Sequence, residues 1–327
     1  MPTNPADSFA SIGSTFAPDS GAYAIEAVGL RRSFGKTEAL RDLTLRVPKG
    51  GVYGFLGRNG AGKTTAIRLL AGLIKPDAGT VRILGQDPFT LSPEDRQRVG
   101  YVSEKQILPA NMKVATIVSF CAPLYPRWDA ALVRRLFDRF RIDPKKPVST
   151  LSQGGQRQVA LVLALAQRPE LLILDEPAST LDAVARRELL GEILDLLRAE
   201  GDAGSRPTVF LSSHILSDIE RVADRVGILA DGRLKIDEPL DTLKETVKRV
   251  RFHSFPANTN LAALTPPGAY EVIRERHEIA AILRLPNGEG DPAPAEAFAR
   301  AHGAQCEITD LNLEDLFVAL SKTGEMR

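Results

Sequence analysis

Residues 57–65 read GRNGAGKTT, and this short stretch decides the fold. The apolar run at residues 52–56 precedes it and predicts a short buried strand. The apolar segment at residues 66–70 follows it and predicts a helix. The stretch therefore fits the pattern G-x-x-x-x-G-K-[ST] in the context that gives this pattern its meaning, with a strand before it and a helix after it.

The chemistry of such a loop favours a bound phosphate. Glycines let the backbone N–H groups point inward at a helix N-terminus, where the helix dipole also favours an anion. Lys63 can then reach β- and γ-phosphates, and the Thr64 hydroxyl can ligate Mg²⁺. The alternative is a glycine-rich turn with a chance lysine. The sequence predicts a nucleotide site formed by nine residues: Gly57, Arg58, Asn59, Gly60, Ala61, Gly62, Lys63, Thr64 and Thr65.

A second motif adds an acidic pair at the end of another buried strand. Residues 171–177 read LLILDEP, which places Asp175 and Glu176 just beyond the apolar run. We expect Asp175 to hold Mg²⁺ and Glu176 to orient and deprotonate an attacking water. A solvated acidic pair is the alternative interpretation. The adjacent glutamate favours hydrolysis, because binding alone needs a metal ligand but no base.

Strand and helix patterns alternate along the chain. Short apolar runs at 171–174, 209–211 and 226–229 predict buried strands, and helical spacing at 159–166 and 187–197 lies between them. This order predicts a mainly parallel sheet with right-handed crossovers. The alternation of apolar and polar residues before residue 48 predicts antiparallel strands. The fold class is therefore α/β: a P-loop NTPase sheet with an N-terminal antiparallel β subdomain, a helical insertion subdomain and a small C-terminal α+β domain.

Composition shifts predict the limits of these parts. Residues 1–21 are rich in Ser, Pro, Gly, Ala and Asp, which is typical of a flexible tail. Residues 22–245 are predicted to form the nucleotide-binding domain, with the helical subdomain at about 93–165. Residues 246–327 restart with new strand patterns and predict the accessory domain.

The overall composition excludes several classes of protein. The 327 residues carry a formal net charge of +1, so no nucleic-acid partner is expected. The two cysteines, Cys121 and Cys306, stand far apart and favour reduced thiols. No apolar stretch approaches the roughly 18 residues needed to span a bilayer, and the N-terminus does not read as a signal peptide. These features predict a cytoplasmic protein.

Four further motifs identify a family. Residues 151–155 read LSQGG, residues 179–182 read STLD, His214 lies in LSSHILSDIERVAD, and Phe34 lies in RRSFGKTEAL. With the glycine-rich loop and the acidic strand, these motifs resemble those of the ATPase subunits of ATP-binding-cassette (ABC) transporters. The resemblance extends over roughly residues 22–240, and several ordered motifs over that length are specific.

The resemblance implies an ATP site with Mg²⁺ that two chains complete together. A second copy of the chain, or a paralogous ATPase subunit, would bind head to tail when ATP is present. Its signature residues would cap the γ-phosphate held by the first copy: Leu151, Ser152, Gln153 and Gly154. The catalytic residues would be Lys63, Glu176 and His214, with His214 as a γ-phosphate contact.

Two other residues take their roles from the same resemblance. Asp182 would lie at the seam of the dimer, although it could equally be a helix N-cap before Ala183. Phe34 would stack on adenine. An aromatic residue in a strand is usually part of the core, which is the alternative for Phe34.

Two departures from the family pattern are visible. Glu104 in GYVSEK stands where the family has a glutamine that contacts the metal and water. We interpret Glu104 as a metal-side ligand and a transmission element, and the alternative is an exposed loop acid beside Lys105. In the signature, Gln153 and Gly155 replace the usual glycine and glutamine, but Gly154 keeps the glycine nearest to phosphate.

The resemblance also implies a membrane partner. Residues 104–128 stand where the family receives a coupling helix from a separate transmembrane permease subunit. The sequences LYPRWD at 124–129 and NLEDLFVAL at 312–320 resemble exporter-type subunits of bacteria. We therefore expect an export motor that is peripheral on the cytoplasmic face of the cell membrane. The alternatives are a soluble ABC ATPase acting on DNA or ribosomes, and an ATP-gated regulatory clamp outside transport.

Overall fold

The computed structural model describes residues 22–105, 108–198, 206–285 and 292–322, so the predicted tail at 1–21 lies outside the described residues. The strands are β1 (Tyr23–Phe34), β2 (Thr37–Pro48), β3 (Val52–Gly57), β4 (Ala78–Ile83), β5 (Val99–Val102), β6 (Leu171–Asp175), β7 (Thr208–Ser212), β8 (Arg225–Ala230), β9 (Arg233–Pro239), β10 (Val247–His253), β11 (Ala269–Arg274), β12 (Ile279–Arg284) and β13 (Gln305–Thr309). The helices are α1 (Lys63–Leu70), α2 (Pro93–Arg96), α3 (Val114–Cys121), α4 (Ala130–Arg139), α5 (Gln153–Ala166), α6 (Ala183–Arg198), α7 (Leu216–Val222), α8 (Leu240–Thr246), α9 (Ala293–Ala301) and α10 (Leu313–Lys322).

A six-stranded sheet forms the centre of the largest part of the structure, in the order β5-β6-β7-β3-β8-β9. The first five strands in this order are parallel, and β9 pairs antiparallel with β8. Every residue of β3 is buried between β7 and β8, which explains its nearly unbroken apolar sequence. The carboxyl ends of β3, β6 and β7 therefore meet at one edge of the sheet, which is where open α/β sheets bind their ligands.

The two faces of the sheet bury two separate cores. Val52 and Leu56 of β3 point into the core beneath α5 and α7, whereas Tyr53 and Phe55 point into the core beneath α1. This alternation follows from the two-residue period of a strand. Between them, Gly54 lets α7 approach closely, because a Cβ at this position would lie 2.5 Å from Ile219 Cγ2.

The N-terminal strands form a second, antiparallel sheet in the order β2-β1-β4. Ile25 of β1 pairs with Val47 of β2 on one side and with Ile83 of β4 on the other. The buried residues of this sheet share the core with α1. The predicted antiparallel β subdomain is thus confirmed, and so is the α/β fold class.

The helical region differs in one respect from the sequence-based expectation. The predicted insertion at about 93–165 includes β5, but β5 pairs in parallel with β6, Val99 opposite Leu171, and belongs to the central sheet. The helical region therefore follows β5 and consists of α3, α4 and α5, with α5 packed against both of the others. The sequence alone places β5 inside the helical insertion, because a run of four residues is too short to show a period.

One buried ion cluster joins the helical region to the sheet domain. Glu192 of α6 is almost fully buried and bonds Arg135 Nη2 of α4 at 3.1 Å. Its other carboxylate oxygen accepts a bond from Arg139 of α4. The two arginines satisfy a carboxylate that would otherwise be costly to bury.

The C-terminal residues divide between two cores. Strands β10 to β13 form an antiparallel sheet in the order β11-β12-β10-β13, and this sheet buries its own apolar core with α9. Helix α10 lies apart from that core. Its buried residues Leu313, Leu316, Ala319 and Leu320 join the core beneath α5 and α7. Within the described ranges, no helix is long and apolar enough to cross a membrane.

Candidate active site

The glycine-rich loop links the end of β3 to the start of α1. Gly60 and Gly62 adopt φ values of 83° and 104°, which favour glycine strongly. A Cβ on Gly62 would lie 2.5 Å from the Ala39 carbonyl oxygen, so the neighbouring β2 strand also excludes a side chain there. No side chain caps the N-terminus of α1, and its first turn contains no acidic residue. The positive end of the helix dipole is therefore available to an anion.

Lys63 lies over this loop rather than in solvent. Its side chain is buried, and its Nζ donates to the Gly57 carbonyl at 2.6 Å and to the Arg58 carbonyl at 3.4 Å. An ammonium group has three donors and no acceptor, so bonds to carbonyl oxygens suit it. The same positive charge lies against the loop, which strengthens the site for a polyphosphate.

Asp175 ends β6 beside Ser212, the last residue of the neighbouring strand β7. Ser212 Oγ donates to the Asp175 carboxylate at 2.9 Å and accepts from the Glu176 backbone N–H at 2.9 Å. Asp175 is 1% exposed. Burial raises the pKa of its carboxyl first, and the charges of Glu104 and Glu176 raise it further. A desolvated carboxylate near other acids gains from a nearby cation, which fits a metal-ligand role.

Glu176 and His214 form a second pair at the same edge of the sheet. The Glu176 Oε2 atom lies 2.6 Å from His214 Nδ1 and accepts the His214 backbone N–H at 3.2 Å. An ionised carboxylate accepts only, so Nδ1 carries the proton of that bond. Glu176 has φ of 50°, a left-handed conformation that is strained for a residue other than glycine. The imidazole is half exposed, whereas Glu176 is buried.

The signature residues lie at the start of α5, next to the segment at 179–182. Ser152 is the N-cap of α5, because its Oγ accepts the Gly155 N–H at 3.1 Å. A Cβ on Gly154 would lie 3.2 Å from the Thr180 carbonyl oxygen, so these two segments are neighbours. Asp182 caps α6 by accepting the N–H groups of Val184 and Ala185 at 2.9 Å. Ser152 and Gln153 are exposed.

Comparison with known proteins places the chain in a family. Residues 40–179 match the family model for ABC transporters. Over 238 residues the chain is 34% identical to the ABC transporter ATP-binding protein YtrB of Bacillus subtilis (strain 168). The aligned region covers 73% of this chain and 79% of YtrB. The chain belongs to the ABC transporter ATPases. It is also 35% identical over 223 residues to the bacitracin transport ATP-binding protein BcrA of Bacillus licheniformis, covering 68% of this chain and 71% of BcrA.

Two further matches bear on the ABC fold and on the direction of transport. A solved structure of the ATP-binding subunit of an ABC transporter has a TM-score of 0.59 and 28% identity, over 68% of this chain and 92% of that one. The iron(III) import ATP-binding protein FbpC 2 of Rhodococcus jostii (strain RHA1) is 37% identical over 218 residues, or 65% of this chain and 61% of FbpC 2. The resemblance of the motifs to ABC ATPases is therefore confirmed, and the chain is an ATPase of this family.

The ABC ATPase brings most of the sequence-predicted site residues to one edge of the central sheet. The loop at 57–65, Asp175, Glu176 and His214 all follow the carboxyl ends of β3, β6 and β7. The charge of Glu104 raises the pKa of Asp175, so Glu104 lies at the same edge. The signature residues instead neighbour Thr180 and Leu181.

Phe34 is not a core residue. It lies at the end of β1 with 49% of its surface exposed, and the Arg32 guanidinium lies 4.9 Å from its ring centroid. The ring is thus open to a flat partner, and its stacking on adenine stays a prediction. The N-cap alternative for Asp182 is confirmed by the two bonds to the first turn of α6. That role leaves open whether Asp182 also meets a second copy.

Two site residues were missed by the sequence analysis. Ser212 joins Asp175 to the Glu176 backbone, and the signal for it was a hydroxyl residue ending the strand after the apolar run 209–211. Arg157 contacts the Glu104 carbonyl and the Glu176 carbonyl. The signal for Arg157 was that it is the one charged residue of α5, just before the apolar run of that helix.

The protein oxygens at this edge suit Mg²⁺. Among the described residues, no three His, Cys, Asp or Glu side chains gather as a complete metal cage. Mg²⁺ does not require one, because it keeps several waters and takes one or two protein oxygens plus phosphate. Asp175 and Thr64 would be those ligands, and the charge of Glu104 acts on Asp175.

Proposed function

We propose that this ABC transporter ATPase powers export through a separate transmembrane permease subunit. Two copies, or this chain and a paralogous subunit, would close head to tail on ATP and separate after hydrolysis. The observation that carries the proposal is Glu176, a buried carboxylate directly after the metal-ligand Asp175 and bonded to His214. A carboxylate in that position can act as the base for water, which a protein that only binds ATP does not need.

The nucleotide would bind first at the glycine-rich loop. The N–H groups of residues 57–65 would donate to the β- and γ-phosphates, and Lys63 would exchange its bond with the Gly57 carbonyl for a phosphate oxygen. Mg²⁺, when bound to Thr64 and Asp175, supplies positive charge to the phosphates. Phe34 would stack against adenine from the exposed end of β1. ATP is thus held at both ends.

Hydrolysis would depend on two residues that already touch. Glu176 would orient the attacking water and accept its proton, which contributes about 10²–10⁴-fold in reactions of this kind. His214 holds the Glu176 carboxylate through Nδ1, and its Nε2 would donate to the γ-phosphate when that nitrogen also carries a proton. Loss of the γ-phosphate would then be reported by His214 to α7, which begins two residues later.

The other half of the pocket would come from the partner. Residues 151–154 precede or open α5 on the surface, where an exposed helix N-terminus can meet an anion. This end of α5 neighbours the segment at 179–182, so both would lie in the seam between copies. Asp182 would serve there while it caps α6.

The permease subunit would bind the surface of the helical region. Residues 104–128, apart from 106–107, carry three exposed apolar side chains, and Phe120 and Leu124 expose 67% and 51% of their surface. Met112 is the third. Exposed apolar groups of this kind mark protein contacts. The resemblance of residues 124–129 and 312–320 to exporter-type subunits favours export, and the chain would then be peripheral on the cytoplasmic face of the cell membrane.

The proposed limits of the parts follow the same logic. Residues 22–245 would be the ATPase domain and 246–327 the accessory domain, after a tail at 1–21. Helix α10 would act as the part of the accessory segment that is fixed to the ATPase, because its apolar face is buried there.

Phosphate release by the purified chain tests the proposal. The chain with ATP and Mg²⁺ is expected to release phosphate, removal of Mg²⁺ with a chelator to stop it, and Lys63→Ala to lose nucleotide binding. Reconstitution with a candidate permease subunit in vesicles should raise turnover and move substrate outward from the ATPase side. A rate of ATP hydrolysis that stays the same with every candidate permease subunit would contradict the role in transport. Transport toward the ATPase side would contradict export.

Replacing Glu104 tests its predicted role at the metal. Glu104→Ala is expected to reduce kcat by about tenfold, the effect of about 1.4 kcal/mol, while the Kd for ATP changes much less. The reason is that this carboxylate lies beside Asp175, not on the loop that holds the phosphates. Steady-state phosphate release and fluorescence titration of a nucleotide analogue measure the two quantities.

The matched control is the neighbouring Lys105→Ala, which removes a charge from the same exposed loop. Its kcat should stay near the parent value. If Glu104→Ala also keeps the parent kcat, Glu104 is an ordinary loop acid, which was the alternative.

A further inference from the structure

One arginine near the start of α5 contacts three segments around the reaction centre. The Arg157 side chain is 6% exposed. Its guanidinium donates to the Glu176 carbonyl at 2.9 Å and to Ser179 Oγ at 2.5 Å. It also donates to the Glu104 carbonyl. Glu176 is the proposed base, Ser179 lies in the segment that leads to Asp182, and Glu104 lies in the loop after β5.

The surroundings of Arg157 explain why a charge is kept there. Burial lowers the pKa of its guanidinium, but arginine stays protonated at neutral pH by a wide margin. The nearby charges of Glu104, Glu176 and Asp175 act in the opposite direction and favour the cation. A planar group with five donors holds several acceptors in a fixed fork geometry, which the single ammonium of a lysine does not reproduce. The site therefore uses the particular geometry of arginine.

The bond to the Glu176 carbonyl has a specific consequence for a strained residue. Glu176 has a left-handed φ of 50°, and such a conformation persists only where its surroundings determine it. Its N–H is held by Ser212 Oγ at 2.9 Å, and its carbonyl is held by Arg157 Nη1 at 2.9 Å. The backbone of the proposed base is thus fixed from both sides, by β7 and by α5.

We propose that Arg157 is a positioning residue for ATP hydrolysis that sets the backbone of Glu176 and ties it to the loop carrying Glu104. The inference rests on the proposed role of Glu176 as the base. Because one guanidinium bonds both segments, a displacement of the Glu104 loop moves the donor of the Glu176 carbonyl. Arg157 therefore also links the surface proposed for the permease to the attacking water.

The test compares four single variants and one double variant of the full chain. Arg157→Gln removes the guanidinium, Arg157→Lys keeps a charge without the fork, and Ser179→Ala removes one exposed acceptor. Arg139→Gln is the matched control, because it breaks an ion pair to buried Glu192 far in sequence from the reaction centre. For each, we would measure kcat, the Kd of an ATP analogue, and the unfolding temperature.

We expect Arg157→Gln to lower kcat by about 10²-fold, the effect of a misplaced catalytic group, with the Kd within about threefold of the parent. Arg157→Lys should keep a low kcat even where its unfolding temperature recovers. Ser179→Ala should lower kcat to a smaller extent, and the double variant with Arg157→Gln should be no slower than Arg157→Gln alone, because both changes break the same bond. Arg139→Gln should alter stability only.

Two results would overturn the assignment. In the first, the Arg157 variants keep the kcat of the parent chain, or their activity falls only in proportion to the fraction of protein that is folded. The other is a full addition of the Ser179→Ala and Arg157→Gln effects. Should Arg157→Gln fail to fold, Arg157→Lys and Ser179→Ala still decide between these outcomes. If Glu176→Gln is inactive and Arg157→Gln is fully active, the role of Glu176 as the base still holds and only the positioning role of Arg157 is contradicted.

Discussion

The Glu176→Gln variant is expected to hydrolyse ATP about 10²–10⁴-fold more slowly than the parent chain, because the amide cannot accept the proton of the attacking water. Nucleotide binding should persist, since the loop at 57–65 and Lys63 lie on a different segment. ATP then stays bound, because it is not hydrolysed. We expect the variant to accumulate as a dimer in the presence of Mg²⁺ and ATP, and to be a monomer without nucleotide.

Phosphate release and multi-angle light scattering measure the two halves of this prediction. Glu170→Gln is the matched control, because Glu170 lies next to the opposite end of β6 and bonds Arg98 at 2.8 Å. It should hydrolyse ATP at the parent rate. A Glu176→Gln chain that still turns over would assign the base to another residue. A chain that stays monomeric with bound Mg·ATP would contradict the shared pocket.

Some of this site was visible in the sequence because its chemistry is local. The loop at 57–65 is contiguous. The glycines that its backbone conformation requires can be recognised directly in the sequence. Asp175 and Glu176 follow directly from the apolar run of β6. In each case the residues that act together are neighbours in the chain or lie at the ends of recognisable strands.

The residues that were missed act through contacts distant in sequence. Ser212 lies 36 positions from Glu176, and Arg157 lies 53 positions from Glu104. Apolar periodicity indicates which side of α5 is buried, but it does not say which carbonyls a buried arginine meets. The same limit explains why β5 was assigned to the helical insertion. Only its pairing with β6 places it in the sheet.

Helix α10 is the clearest case of packing that sequence position conceals. It follows the sheet of strands β10 to β13, which we call the accessory sheet, in the chain. A helix at this position in the sequence is therefore predicted to belong to the accessory domain. Its apolar residues instead join the core that contains Ile219 and Val222 of α7. Because α7 begins two residues after His214, α10 supports the helix that follows the residue proposed to contact the γ-phosphate.

The Leu316→Ala variant should therefore destabilise α7 more than the separate core that β10 to β13 bury with α9. Leu316 is fully buried, and truncating a buried leucine lowers the free energy of unfolding by about 2–5 kcal/mol. Urea unfolding measures the total loss, and amide hydrogen exchange shows where it falls. Exchange in α7 is expected to accelerate, because α10 packs directly on α7. Turnover should fall as well, since His214 loses the rigid helix behind it.

Phe252→Ala provides the matched comparison, because Phe252 is equally buried but lies in the core of the accessory sheet. Its truncation should cost about 3–5 kcal/mol and accelerate exchange in β10 to β13, while α7 keeps its protection. The two variants thus separate the two cores by location, even if the chain unfolds in one transition. Unchanged exchange in α7 for Leu316→Ala would mean that α10 is fixed to the accessory domain after all, and that the nucleotide site does not depend on it.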